Sequence, residues 1–154
     1  MELKDAVAMI EEDPRFTDWK RDHADYFFAS GFFMEDGSWQ LGYSNGEKLV
    51  SVSDEGFSAP QEVVKRPGEK IVGMDVSLVT LPLEEAQQKF TQTANEHYGK
   101  ELIVKYITIA QVIDGEVLYN ITGMTQTLNT INVRINMDGQ VIGHSMDSLI
   151  EQMN

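Results

Sequence analysis

The chain has no cysteine, which excludes disulfides, thiolate metal sites and Cys nucleophiles and leaves the redox compartment open. It also lacks any apolar run near the roughly 20 residues that a helix needs to cross a bilayer, so no membrane insertion is expected. The opening residues, Met1-Glu2-Leu3-Lys4-Asp5, carry acids where an export signal carries positive charge. As given, the chain reads as soluble and cytoplasmic, or as extracytoplasmic if an export signal has been trimmed. Positive charge is scarce: 12 Lys and Arg stand against 25 Asp and Glu, a net charge of -13. Such a field repels phosphate, which argues against nucleic acid and anionic lipid and leaves cationic or apolar partners. Phosphate-cradling glycine loops and EF-hand spacing are missing. His23, His97 and His144 are far apart in sequence, with no i, i+4 pair to place two imidazoles on one metal. No cofactor, no metal site and no catalytic residue is expected.

What remains is the composition of a folded protein, 42% hydrophobic and 24% charged, and an internal repeat. Leu3-Lys4-Asp5-Ala6 matches Leu83-Glu84-Glu85-Ala86 at an offset of 80 (83 − 3), and the same shift carries Trp39 onto Tyr119. Lys48 to Gly56 then matches Asn132 to Gly139 at an offset of about 83 or 84 (132 − 48 and 139 − 56 bracket it). Both halves run from a helix through antiparallel strands to an acidic-Gly turn. The fold class predicted is α+β, two repeats of a helix packed on a bent antiparallel sheet. The first repeat spans 1–60, a connecting hairpin 61–80, and the second repeat 81–154.

In the first half, Leu3, Ala6, Val7 and Ile10 recur at helical spacing over about residues 2 to 12, and Asp13-Pro14 stops the helix because proline lacks the donor. Residues 24 to 34 are aromatic-rich. Trp39, Leu41 and Tyr43 alternate as on a half-buried strand, Asn45-Gly46 suits a tight hairpin, and the return strand covers about 48 to 53. In the connection, Arg66-Pro67-Gly68-Glu69 has the centre of a type II turn between two β-prone stretches, Glu62 to Lys65 and Ile71 to Thr80. In the second half, Pro82 opens a helix with Glu84 and Glu85 at its positive end, Leu83, Ala86, Phe90 and Ala94 on one face, and Gly99 as its stop. Strands near 102 to 113, 116 to 125 and 128 to 137 follow, with Asp114-Gly115 and Asp138-Gly139 as turns. Ile131, Val133, Ile135 and Met137 face one way, Asn132, Arg134 and Asn136 the other. Met146, Leu149, Ile150 and Met153 predict a short terminal helix over Ser145 to Met153.

Leu83-Glu84-Glu85-Ala86, with Val133-Arg134-Ile135-Asn136-Met137-Asp138-Gly139-Gln140-Val141 closing the half, resembles the PepSY-like domain family. The first half matches through Leu3-Lys4-Asp5-Ala6, Trp39-Gln40-Leu41-Gly42-Tyr43 and Val50-Ser51-Val52-Ser53-Asp54-Glu55-Gly56. The resemblance implies a cystatin-like architecture, a bent antiparallel sheet wrapped on one helix, in an extracytoplasmic setting. It also implies association with proteases, as in propeptides that restrain or assist the enzyme, and it brings no catalytic residues. Neither an export signal nor a protease domain accompanies the match.

Gly42-Tyr43-Ser44-Asn45-Gly46 spells a nucleophile elbow, but that motif needs a helix after the serine, and here a strand follows. Adjacent acids such as Glu84-Glu85 diverge by about 100° on a helix and do not act as a pair. Asn120-Ile121-Thr122 is a formal glycosylation sequon, meaningful only in a secreted eukaryotic protein. The informative oddity is Tyr26-Phe27-Phe28 with Phe32-Phe33: consecutive strand residues face opposite sides, so one of each pair leaves the helix-facing core. Phe27, Phe28, Phe32 and Phe33, with Lys65, Arg66 and Lys70 in the connecting hairpin, form the expected interaction surface. The expected role is a non-enzymatic, protein-binding or regulatory module, protease modulation being what the resemblance implies. A protein partner of unknown identity is expected, and a homodimer fits the same surface. Two alternatives stay open: a small-molecule-binding or enzymatic cone-shaped fold, and an acidic chaperone. A helix-sheet interface filled by Phe90, Ile107, Ile121 and Ile135 would argue against the first.

Overall fold

The structure, a computed structural model, describes residues 1–63 and 68–150. The chain divides into two compact units, Met1–Val79 and Thr80–Asn154. The fold is α+β, with every described strand pairing antiparallel.

The first unit opens with α1 (Leu3–Glu12), which buries Leu3, Ala6 and Val7. Its stop at Asp13-Pro14 is also the start of a second helix, α2 (Pro14–Asp22), in a stretch without a predicted element. Proline needs no donor at a first helical position, and the Asp13 carboxylate accepts from Arg15 N–H at 2.9 Å. The strands are β1 (Phe27–Phe33), β2 (Trp39–Ser44) and β3 (Lys48–Ser53), with short β4 (Gly56–Phe57) and β5 (Gln61–Glu62), both paired to β3. Register places Phe28 beside Tyr43, Gly31 beside Leu41 and Phe33 beside Trp39, with an irregularity between Phe28 and Ser30. This face meets the helices. Trp39 Nε1 donates to the Met1 carbonyl at 2.8 Å, and Leu3 occupies the space over Gly31, where an added Cβ would lie 2.6 Å from Leu3 Cδ1.

The connecting segment departs from the predicted hairpin. Glu62 pairs with Lys48 in β5, but Ile71 to Thr80 forms no strand. The Asp75 carboxylate accepts from Ser77 N–H at 3.0 Å and caps a 3₁₀ turn over Val76–Leu78, a local bond that competes with pairing to a strand. Gly68 has φ +81°, as the third position of a type II turn requires; Lys65, Arg66 and Pro67 lie outside the described residues.

The second unit is α3 (Leu83–Tyr98) on a four-strand meander: β6 (Ile103–Ile113), β7 (Glu116–Thr125), β8 (Asn129–Asn136) and β9 (Val141–Ser148). Leu83, Ala86, Phe90 and Ala94 are buried on one face of α3, as the spacing predicts. Asp114 and Gly115 both take positive φ at the first reversal, 51° and 78°. Tyr119, Ile121 and Gly123 pair with Ile135, Val133 and Ile131 to make the helix-facing layer. Ile107 pairs with Thr122, which lies on the opposite face from Ile121, so it does not fill the helix-sheet interface as expected; Tyr106 takes that side instead, its ring 5.6 Å from Phe90. An irregularity between Ile103 and Lys105 resets the alternation.

The terminal helix predicted over Ser145 to Met153 is corrected in its first part only: Ser145 to Ser148 is strand, while Leu149 and Ile150 are helical and residues 151–154 lie outside the described residues. Val141 to Ser148 pairs along β8, with His144 opposite Val133 and Met146 opposite Ile131. The open edge of β8 offers a ladder of hydrogen bonds that a short, marginal helix cannot match. Met153 lies outside the described residues.

Candidate functional site

The aromatic excess of the first unit gathers around Tyr43. Its ring lies 5.2 Å from Phe16 of α2 and 5.6 Å from Phe28 of β1. Trp19, also on α2, packs 5.4 Å from Tyr26, 5.9 Å from Tyr43 and 5.3 Å from Phe57, and stacks on His23 at 4.6 Å. Phe16 and Trp19, at i, i+3, turn one face of α2 onto β2, a signal that the sequence carried once Asp13-Pro14 is read as a start.

Beside this cluster runs an open groove of about 710 Å³, lined by Phe16, Tyr26, Phe27, Phe28 and Tyr43 with Glu11, Thr17, Lys20 and Arg21 at its polar margin. Tyr43 O–H donates to Glu11 Oε1 at 3.1 Å. Burial, and then the Glu11 charge and this hydrogen bond, push the Tyr43 phenol well above its ordinary range. The Lys20 ammonium donates to the carbonyls of His23, Ala24 and Tyr26, closing the C-terminal end of α2. Arg21 pairs with Asp18 at 3.5 Å on an exposed surface. An aromatic floor with a carboxylate and two cations at its margin suits an amphipathic segment of another molecule.

The residues expected to form the interaction surface are divided by the structure. Phe28 and Phe33 face the helices, whereas Phe27 and Phe32 pair with Ser44 and Gln40 on the other side of the sheet. All four rings are half-buried. Phe28 lines the groove, and so does Phe27, which as the first residue of β1 meets it at the strand's end despite its opposite register; Phe32 and Phe33 do not. Lys70 is exposed, and Lys65 and Arg66 lie outside the described residues. Sequence reasoning missed the α2 wall, Phe16, Thr17, Lys20 and Arg21.

Ser44 is fully buried, and its Oγ accepts from Gly46 N–H at 2.9 Å. A strand follows, so the serine closes a hairpin and does not stand on an elbow. In the second unit Phe90, Ile121 and Ile135 are fully buried. Asn120 sits in β7 and accepts from Asn132 Nδ2. Among the described residues no group of three or more His, Cys, Asp or Glu is arranged to hold a metal ion, and no helix is long and apolar enough to cross a membrane.

The chain matches no known family model and no curated protein. Among solved structures it is similar to a candidate lipoprotein from Clostridium difficile 630, with a TM-score of 0.52 at 11% identity over 85% of this chain and 89% of that one. That likeness is one of fold alone.

Proposed function

We propose that the chain is a non-enzymatic binding module made of two PepSY-like, cystatin-like repeats, and that its first unit receives an amphipathic segment of a partner protein. The observation that carries this is the groove floored by Phe16, Phe28 and Tyr43 between α2 and the sheet. Phe27 and Phe28 are half-exposed above the buried rings of Phe16 and Tyr43, and accessible aromatics beside charged groups are the composition of partner surfaces, where rigid rings supply contact area at little entropic cost.

The repeat is supported by one bond in each unit. Trp39 donates to the carbonyl of Met1, and Tyr119 donates to the carbonyl of Leu81 at 3.3 Å. Donor and acceptor are 38 residues apart in both cases, and the two bonds are related by the offset of 80 that relates Leu3 to Leu83. Strand pairing favours an offset of 81 further on (133 − 52), since Leu41 opposes Val52 as Ile121 opposes Val133. Protease modulation is the specific version of this role. An extracytoplasmic address is supported by the fold shared with a candidate lipoprotein; fractionation of the source cells reads it directly.

The test is affinity capture from the source organism with the full chain as bait, followed by binding measurements on the partner recovered. Thr17→Trp fills the groove from an exposed helix position. It is expected to abolish capture while leaving the melting temperature unchanged. A partner that binds the Thr17→Trp chain as tightly as the native one, or recovery of none at micromolar bait, would sink the proposal.

A further inference from the structure

Two adjacent residues and a third that lies 46 positions beyond the second meet at the C-terminal end of α3. His97 and Tyr98 occupy its last turn, and His144 lies on β9 opposite Val133, on the side that faces α3. The imidazoles of His97 and His144 stack with centroids 4.2 Å apart and planes 28° from parallel. Tyr98 Oη is 2.7 Å from His144 Nδ1, and its ring stands edge-on to that imidazole at 5.7 Å. Both histidines are exposed.

The geometry points to a surface site for a borderline divalent transition-metal ion, bound through one nitrogen of His97 and one of His144. A bound ion lies in the plane of each imidazole, so the stacked pair does not hold one as it stands; the two exposed rings, 4.2 Å apart, reach a common ion when His97 turns its side chain so that a nitrogen of each comes within about 2.0–2.1 Å of it. Tyr98 engages Nδ1 of His144 and leaves Nε2 for the ion. A hydrogen bond at the second nitrogen is the usual device that fixes the tautomer and ring orientation of a metal-bound histidine. Tyr98 is therefore a positioning residue. With two protein ligands, water completes the coordination shell and exchange is fast. Imidazole ligands select Cu²⁺, Ni²⁺ and Zn²⁺ over Mg²⁺ and Ca²⁺, which prefer oxygen.

Calorimetric titration of the full chain with NiCl₂, ZnCl₂ and MgCl₂ tests the site. One Ni²⁺ or Zn²⁺ ion per chain is expected, with no heat from Mg²⁺. His97→Gln and His144→Gln should each weaken binding by about tenfold or more, Tyr98→Phe by less, and His23→Gln not at all. A second measurement avoids dependence on the variants' folding: in the amide spectrum of the native chain, Ni²⁺ should broaden signals around residues 97, 98 and 144 before any others. Absence of Ni²⁺ and Zn²⁺ binding at sub-millimolar metal, broadening centred elsewhere, or undiminished affinity in the folded His97→Gln/His144→Gln chain would overturn the assignment.

Discussion

Gly123 carries no side chain because Phe90 takes the space: an added Cβ would lie 2.8 Å from Phe90 Cζ and 3.0 Å from Ile103 Cγ2. Gly123→Ala is expected to cost about 1–3 kcal/mol, read as a lower urea midpoint at unchanged slope. Nothing in the sequence marks this glycine, since its neighbours Ile121 and Met124 look like any strand; only packing against α3 reveals it. Tyr43 is a second case. Because its folded-state pKa lies above the unfolded value near 10, the neutral phenol contributes stability that is complete below that value and is lost as pH rises beyond it. One of the five tyrosines should resist ionisation into strong alkali by ultraviolet titration, and Glu11→Gln should bring it down. The sequence exposed Tyr43 as an inward strand residue through its alternation with Leu41, but gave no sign of Glu11, which is reached only across the α1 packing.

At the scale of elements, proline at position 14 has two meanings. It ends α1, as read, and it also begins α2, because Asp13 caps a helix whose first residue needs no donor. Asp13→Ala should lower helical content and melting temperature by circular dichroism. Acid should act in the same direction. Hydrogen bonds from Arg15, Ser38, Ser77 and Thr127 hold the carboxyls of Asp13, Asp36, Asp75 and Glu101 below their ordinary values. Their stabilisation is therefore complete above the ordinary carboxyl range and is lost as pH falls through the depressed values. Long periodic elements were readable: α3 by its stripe and its Pro and Gly ends, β6 to β8 by Asp-Gly turns. The short ones were not. Ser145 to Ser148 opens the helical stripe of Met146, Leu149, Ile150 and Met153 and still pairs with β8, because the vacant ladder beside it outweighs local preference.

For the whole molecule, the charge of -13 is the dominant field. Exposed acids repel one another in the compact state, so the melting temperature should rise as salt is added from low ionic strength, in a calorimetric scan at neutral pH. The α+β class and the helix-then-meander order were legible because periodicity and turn chemistry are local. The groove was only half legible. Phe27 and Phe28 announce themselves on a strand, whereas the wall supplied by Phe16, Thr17, Lys20 and Arg21 depends on a helix hidden behind a proline. The meeting of His97 with His144 was invisible, since 46 residues separate Tyr98 from its histidine partner and only the meander returns them to one another.

The bond from Trp39 to the Met1 carbonyl has a practical side. It moors the lead-in to α1 against the second strand, so that whatever is joined ahead of Leu3 departs along a set bearing. A label, tether or fusion attached there would be aimed by the indole, and an experimenter choosing where to fasten this protein to a surface can use that heading.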